Sequence, residues 1–301
     1  MNRLARKGAV ASAATMLAMG LLGAVVPGIG AAASKPSLYY VSLGDSYSVG
    51  YQPGFANQSE TLHGYANRLV ANLAGVQPLT LEQFGCGGAT SSSVLNQVGC
   101  SPAAQALDEV NYSTSTQVAA AVAFITAHPG KVGLVTISIG GNDFDGCISS
   151  PTPVPCVSAA LPTMVANIKT LTSDLRAAAG PKVPILAITY PDVALAAWLK
   201  RTPAGTALAS ESQAAFSLLI NPDFVKAYAP SKATFVDVTK ATGAYGSLKK
   251  LTTLKPYGRI PVPVAQVCKL TWMCAKGDIH PRDAGYQLIA KLLTAAYKKV
   301  A

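Results

Sequence analysis

Residues 132–143 read Val-Gly-Leu-Val-Thr-Ile-Ser-Ile-Gly-Gly-Asn-Asp. The first eight are mostly apolar or β-branched, with no regular alternation, and Gly140-Gly141 ends the run. A strand that is apolar on both faces is one that the fold buries on both faces. Similar runs lie at 38–43, 79–84, 183–189 and 234–238. Between them, 65–73, 116–127, 159–179 and 207–219 are Ala-rich or carry apolar residues at helical spacing. Residues 281–300 read as a last helix with Pro281 at its start. Strand and helix in alternation predict one α/β domain, a parallel sheet of about five strands between two helical layers. Residues 241–263, rich in Gly, Pro, Lys and Tyr, read as a long excursion from that pattern.

Composition agrees with a folded domain. Hydrophobic residues make up 50% of the 301 and charged residues 13%, which excludes a disordered chain. Gly and Pro follow no period, so collagen is out, and no repeat of about 20–50 residues points to a solenoid or propeller. The formal net charge is +10, yet the Lys residues are scattered and no basic run is interleaved with aromatics. Nucleic acid is therefore not an expected partner.

The N-terminus and the cysteines give the expected compartment. Residues 1–33 have the plan of a secretory signal: basic Arg3, Arg6 and Lys7, an apolar stretch over 9–29, and Ala31-Ala32-Ala33 before Ser34. Cleavage there leaves 34–301 with 21 basic and 14 acidic residues, a balance of +7. The alternative is an uncleaved membrane anchor, because no charge occurs between Lys7 and Lys35, but Pro27, Gly28 and Gly30 break the stretch. No later segment reads as a membrane span of about 20 apolar residues. Cys86, Cys100, Cys147, Cys156, Cys268 and Cys274 all follow the signal, and an even number in an exported chain implies disulfides. Six cysteines allow 15 connectivities. They fall in three sequence-local pairs, so 86–100, 147–156 and 268–274 are expected. Zinc is excluded by the lack of Cys-x-x-Cys and of ligand spacing among His63, His128 and His280.

Chemistry in a parallel sheet gathers at the carboxyl ends of its strands. Gly44-Asp45-Ser46 places a serine on a tight turn at a strand end, the setting of a nucleophile, although the same tripeptide is a common cap. No Gly-x-Ser-x-Gly elbow occurs, which disfavours the common α/β-hydrolase form. His280, before the last helix, is the candidate base by elimination: His128 precedes a helix-stopping Pro-Gly, and His63 lies near a helix start. Asn142 in Gly140-Gly141-Asn142-Asp143 offers a side-chain amide to a developing oxyanion, with Asp143 supporting the turn, and Gly87-Gly88-Ala89-Thr90 offers a backbone N–H.

These four elements, in order and context, resemble the SGNH hydrolase superfamily of GDSL esterases and lipases. Gly44-Asp45-Ser46, Gly88, Gly140-Gly141-Asn142-Asp143 and His280 match its blocks, and the resemblance runs from about Tyr39 to Tyr286. The cysteine pattern resembles secreted actinobacterial members. The resemblance implies a flavodoxin-like αβα fold and a serine esterase or lipase. Ser46 is its nucleophile, His280 its base, and the Ser46 and Gly88 N–H groups with the Asn142 amide its oxyanion hole. No metal or cofactor is implied. The expected partner is an ester, lipid or acylated small molecule, met in transient contact with a lipid interface by a monomer. One departure stands out: the family's acid lies three residues before the histidine, where this chain has Gly277. The His280 ring then has three candidate supports: Asp278, the Gly277 carbonyl, or a remote acid. Asp278 is the expected one. The 241–263 excursion, Trp198 and Trp272 are candidates to line an acyl or sugar site. A carbohydrate O-acetylesterase and a catalytically silent exported binding module are the alternative readings.

Overall fold

The structure is a computed structural model that describes residues 35–55 and 58–301. The expected signal and its cut before Ser34 lie outside the described residues. The chain runs β1 (Leu38–Gly44), α1 (Ser46–Val49), α2 (Tyr65–Leu73), β2 (Leu79–Gln83), α3 (Ser93–Asn96), α4 (Gln117–Ala127), β3 (Val132–Ser138) and α5 (Pro153–Ala179). It continues through β4 (Ile185–Ile188), α6 (Pro203–Ala215), α7 (Asn221–Tyr228), β5 (Thr234–Val236) and α8 (Val238–Ala241). Last come β6 (Leu251–Leu254), β7 (Gly258–Pro261), α9 (Val262–Leu270), α10 (Met273–Lys276) and α11 (Asp283–Val300).

Five parallel strands lie in the order β2-β1-β3-β4-β5. Every residue of β3 is buried, as its mostly apolar, non-alternating run requires. Helices α2 and α11 pack together as one layer, and α4, α5 and α7 as the other. Right-handed crossovers explain the division. The step from β1 to β2 runs one way along the sheet and all later steps run the other, so their helices cover opposite faces. The strand order therefore reverses between β1 and β3. In an open α/β sheet the crevice at the carboxyl ends of two such strands is where a ligand site forms.

Several boundaries differ from the sequence reading for identifiable reasons. Helix α5 begins at Pro153, ahead of the expected 159. Pro153 and Pro155 occupy its first turn, where a missing N–H costs nothing. At 27 residues α5 is also long and apolar enough, by length and composition alone, to cross a membrane. In this fold its buried stripe, Leu161, Met164, Ile168 and Leu171, lies in the core. Helix α6 passes through a π turn at Phe216–Ile220 into α7, just ahead of Pro222, which has no N–H to donate back along the helix. Helix α11 starts at Asp283, because Pro281 is extended and bridges Thr271. The 241–263 excursion contains an antiparallel hairpin, β6 with β7. Ile260 from β7 joins Leu195, Val264 and Val267 in a second, smaller apolar cluster. Three disulfides join Cys86–Cys100, Cys147–Cys156 and Cys268–Cys274.

Candidate active site

The first turn after β1 is built so that only glycine fits at its start. Gly44 has φ +136°, and a Cβ there would lie 2.0 Å from the Ser138 carbonyl oxygen. Both backbone polar groups of Gly44 are met by one side chain: its N–H donates to Gln117 Oε1 at 2.7 Å and its carbonyl accepts from Gln117 Nε2 at 3.0 Å. Asp45 then caps α1, its Oδ1 accepting the Tyr47 N–H at 2.9 Å. Ser46 is the first residue of that helix, and its own N–H has no partner among the described residues, as the first turn of a helix leaves it.

His280 reaches Ser46 from the far end of the chain. Its Nε2 lies 2.8 Å from Ser46 Oγ, and its Nδ1 lies 2.8 Å from Asp278 Oδ1. An ionised carboxylate only accepts, so Nδ1 carries the hydrogen and Nε2 presents a lone pair to the serine hydroxyl. Asp278 Oδ1 also accepts the His280 backbone N–H at 2.9 Å, closing a tight loop. Burial pushes the Asp278 carboxyl upward, but its bonds from His280 and the nearby charges of His280 and Lys276 outweigh that and hold it below the usual range. Of the three supports left open by the sequence, it is the Asp278 carboxylate that meets Nδ1. Gly277 instead takes φ +67° and caps α10, and Asp278 follows it directly. The loop is fixed from outside by three bonds: Trp272 N–H to the His280 carbonyl at 2.9 Å, Arg282 N–H to the Leu270 carbonyl at 2.8 Å, and Tyr47 Oη to the Ile279 carbonyl at 2.8 Å.

The turns after β2 and β3 face this pair. Gly87 and Ala89 donate their N–H groups to the Ala104 and Cys86 carbonyls, while the N–H of Gly88 between them has no such partner among the described residues. Asn142 Nδ2 donates to the Ala89 carbonyl at 2.8 Å, which spends one amide hydrogen and leaves the other. Asp143 clamps the two turns together: its carboxylate accepts the Ser91 N–H at 2.8 Å and the Ser91 hydroxyl at 2.5 Å. Ser46, Gly88 and Asn142 line one and the same cleft.

Three supporting residues escaped the sequence reading. Gln117 is one. Asp45 and Tyr190 are the others: Tyr190 Oη donates to Asp45 Oδ2 at 2.5 Å, and Ser138 Oγ donates to Oδ1 at 3.1 Å. Asp45 is 1% exposed. Desolvation lifts its carboxyl to about 6, against the lowering effect of its bonds from Tyr190, Tyr47 and Ser138. The Tyr190 ring lies against Gly141, where an added Cβ would come within 2.9 Å of it. The turn that carries Ser46 and the ends of β1, β3 and β4 are thus braced on one buried carboxylate. The only signals were a cap-forming Asp in Gly44-Asp45-Ser46 and an aromatic at a strand end, both common in ordinary cores.

Two clefts meet at Ser46. One, of about 880 Å³ including its open mouth, is walled by Phe144, Ile148, Val157, Leu208, Phe216 and other apolar groups. The other, of about 720 Å³ including its open mouth, is lined by His280, Gly88, Asp145, uncharged polar side chains such as Gln58 and Gln105, and apolar ones such as Val49 and Ile279. The expectation for Trp198, Trp272 and the 241–263 excursion is corrected here: none of them lines either cleft. Trp198 packs on the smaller apolar cluster. Trp272 lies under Lys276 and Arg282 and donates its Nε1–H to Gln52. No His, Cys, Asp and Glu group suited to holding a metal occurs among the described residues.

The fold is similar to that of an extracellular lipase from Streptomyces rimosus, at 18% identity and a TM-score of 0.51 over 86% of this chain and 99% of that one. It is also similar to a mutant acetyl-xylooligosaccharide esterase from Geobacillus stearothermophilus, at 15% identity and a TM-score of 0.50 over 88% of this chain and 95% of that one. At such identities the likeness is one of fold. No curated protein matches the chain by sequence. The sequence profile of the GDSL-like lipase/acylhydrolase family does match, over residues 42–288, and the chain belongs to that family.

Proposed function

We propose that this carboxylic ester hydrolase works by acyl transfer through Ser46, with His280 as general base and acid and Asp278 as its orienting carboxylate. The observation that carries this reading is the pair of 2.8 Å contacts joining Ser46 Oγ, the two ring nitrogens of His280 and Asp278. Nε2 takes the Ser46 proton as Oγ forms a bond to the ester carbonyl carbon. The carbonyl π pair moves onto oxygen, and the free N–H groups of Ser46 and Gly88 with the second Asn142 amide hydrogen receive that charge. Collapse of the intermediate breaks the carbon–alkoxide bond, and imidazolium Nε2–H protonates the departing alcohol. Water then attacks the acyl-enzyme, giving its proton to Nε2, and the acid and free Ser46 are released. Asp278 stabilises the imidazolium at both stages.

The apolar cleft supports a fatty acyl chain over an acetyl group, because a two-carbon acyl would leave most of its lining in water. On the segment that supplies Phe216 and Ile220 to that wall, Leu218 is 72% exposed, an apolar contact available to a lipid surface. The three disulfides and the plan of residues 1–33 support export. A monomer suffices, since one chain supplies every group in the mechanism. The test is hydrolysis of p-nitrophenyl esters from acetate to palmitate by the purified protein and its Ser46→Ala variant. The reading expects kcat/KM to rise from acetate to medium chains and to fall by at least about 10³-fold in the variant. A preference for acetate would favour the O-acetylesterase alternative, and equal rates in both proteins would remove Ser46 from the reaction.

A further inference from the structure

Of the two clefts meeting at Ser46, only the second is lined by His280; both share Ser46, Asn142, Asp145 and Ile279. Under the acyl-transfer reading, on which this inference rests, the departing alcohol oxygen must come within about 2.6–3.2 Å of Nε2 to receive its proton. The alcohol therefore leaves on the His280 side, and the apolar cleft holds the acyl chain.

The alcohol side has a definite electrostatic character. Its walls carry Tyr51, Gln58, Thr61 and Gln105 beside apolar groups such as Val49 and Ile279, and among the described residues no Lys or Arg lines it. This is not a matter of composition, since the chain as a whole has ten more basic than acidic residues. Lys276 and Arg282, which flank His280 in sequence, are turned onto the Trp272 ring and onto the Pro53 and Thr271 carbonyls. The one carboxylate on the cleft, Asp145, is exposed and has no hydrogen bond or ion pair among the described residues. Phosphate sites are built the opposite way, from Arg, Lys or clustered N–H groups that neutralise the anion. Here an anionic headgroup would meet no Lys or Arg among the described residues, no cation but the transient His280 imidazolium, and one unpaired carboxylate.

We propose that the cleft lined by Tyr51, Gln58, Thr61, Gln105 and His280 is the leaving-alcohol site, and that Asp145 makes it select uncharged or cationic alcohols against phosphate-bearing ones. The natural esters would then be fatty acyl esters of neutral polyols or of amino alcohols, with phosphomonoester headgroups rejected.

The test uses three soluble esters with one acyl chain: 1-hexanoylglycerol, hexanoylcholine and 1-hexanoylglycerol 3-phosphate. Wild type is expected to cleave the first two with kcat/KM at least about tenfold above the third. Asp145→Lys is expected to narrow that gap by about three- to tenfold, chiefly through KM, and Asp145→Asn by less, since a charge a few ångströms away in a wet cleft is worth a factor of this size. Raising the salt to about 0.5 M is expected to narrow the wild-type gap as well. Hydrolysis of all three by wild type within about twofold, or a gap unmoved by Asp145→Lys, overturns the proposal and leaves the Ser46 mechanism standing. No hydrolysis of these esters or of p-nitrophenyl hexanoate overturns the mechanism itself, and this inference with it.

Discussion

At the residue scale the site depends on two carboxylates in opposite environments. Asp278 is held ionised by His280, whereas Asp45, sealed beneath Ser46, is pushed toward the neutral form. Replacing Asp278 by Asn keeps the size but offers an amide where Nδ1–H needs an acceptor. That change favours the wrong tautomer, and kcat is expected to fall by about 10²–10⁴-fold. A loss of only a few-fold would show that His280 does not need this partner. Asp45 gives a stability prediction. Its carboxyl lies near 3.8 unfolded and about 6 folded, so the native state binds the proton more tightly. Its contribution to stability is therefore largest below the unfolded value and is lost as pH rises through about 6. The displacement corresponds to on the order of 3 kcal/mol. Comparing urea unfolding of wild type and Asp45→Asn, the difference between them should shift in favour of the variant by about that much from pH 4 to pH 7. A difference that does not change with pH would contradict this account of Asp45. Ser46, Asn142 and His280 were legible because each stands at a strand end or helix start beside glycine or proline. Asp278 was legible only as a candidate, because its contact with Nδ1 depends on the left-handed turn at Gly277. Tyr190 was not legible, because a tyrosine at a strand end reads the same whether it braces a carboxylate or fills a core.

At the element scale the site is a set of short turns fixed to long strands. Helix α1 has only four residues, too few to hold itself, and depends on the Asp45 cap and on Gln117 from α4. The apolar cleft is likewise assembled from pieces. The Cys147–Cys156 bond ties the 3-10 turn Asp145–Ser149 to the first turn of α5, and both contribute to its wall. Opening that small loop by Cys147→Ser with Cys156→Ser is expected to cost about 2–3 kcal/mol of stability. It should also flatten the preference for longer acyl chains, because Ile148 and Val154 lose their fixed positions. Thermal unfolding and the ester series check the two parts, and an unchanged chain-length profile would show that the bond does not shape the cleft. Sequence patterns located the helices and strands but not this wall. Its parts come from 144–157 and from 193–220, and nothing local in either stretch marks it as facing Ser46. The two tryptophans misled for the converse reason: large aromatics suit a ligand site, yet here they cover a satellite core and two cations.

At the scale of the whole molecule, sheet order does the positioning. The reversal between β1 and β3 opens a crevice at their carboxyl ends, and the turns carrying Ser46 and Asn142 are the two that follow those strands. Alternating apolar runs and helices made the parallel sheet legible. The hairpin of β6 and β7 was not, because Thr252, Thr253, Arg259 and Ile260 lack the length and alternation of a clear strand pair. His280 arrives from beyond that hairpin, 234 residues after Ser46. On the proposed mechanism this long closure is what activates the Ser46 hydroxyl. The most direct measurement of that activation is labelling of the purified protein with a fluorophosphonate, followed by peptide mass mapping. A single adduct on Ser46 is expected, formed in step with the loss of esterase activity, and lost or strongly slowed in His280→Ala. An adduct on another residue, or full esterase activity in protein whose Ser46 is completely labelled, would contradict the mechanism.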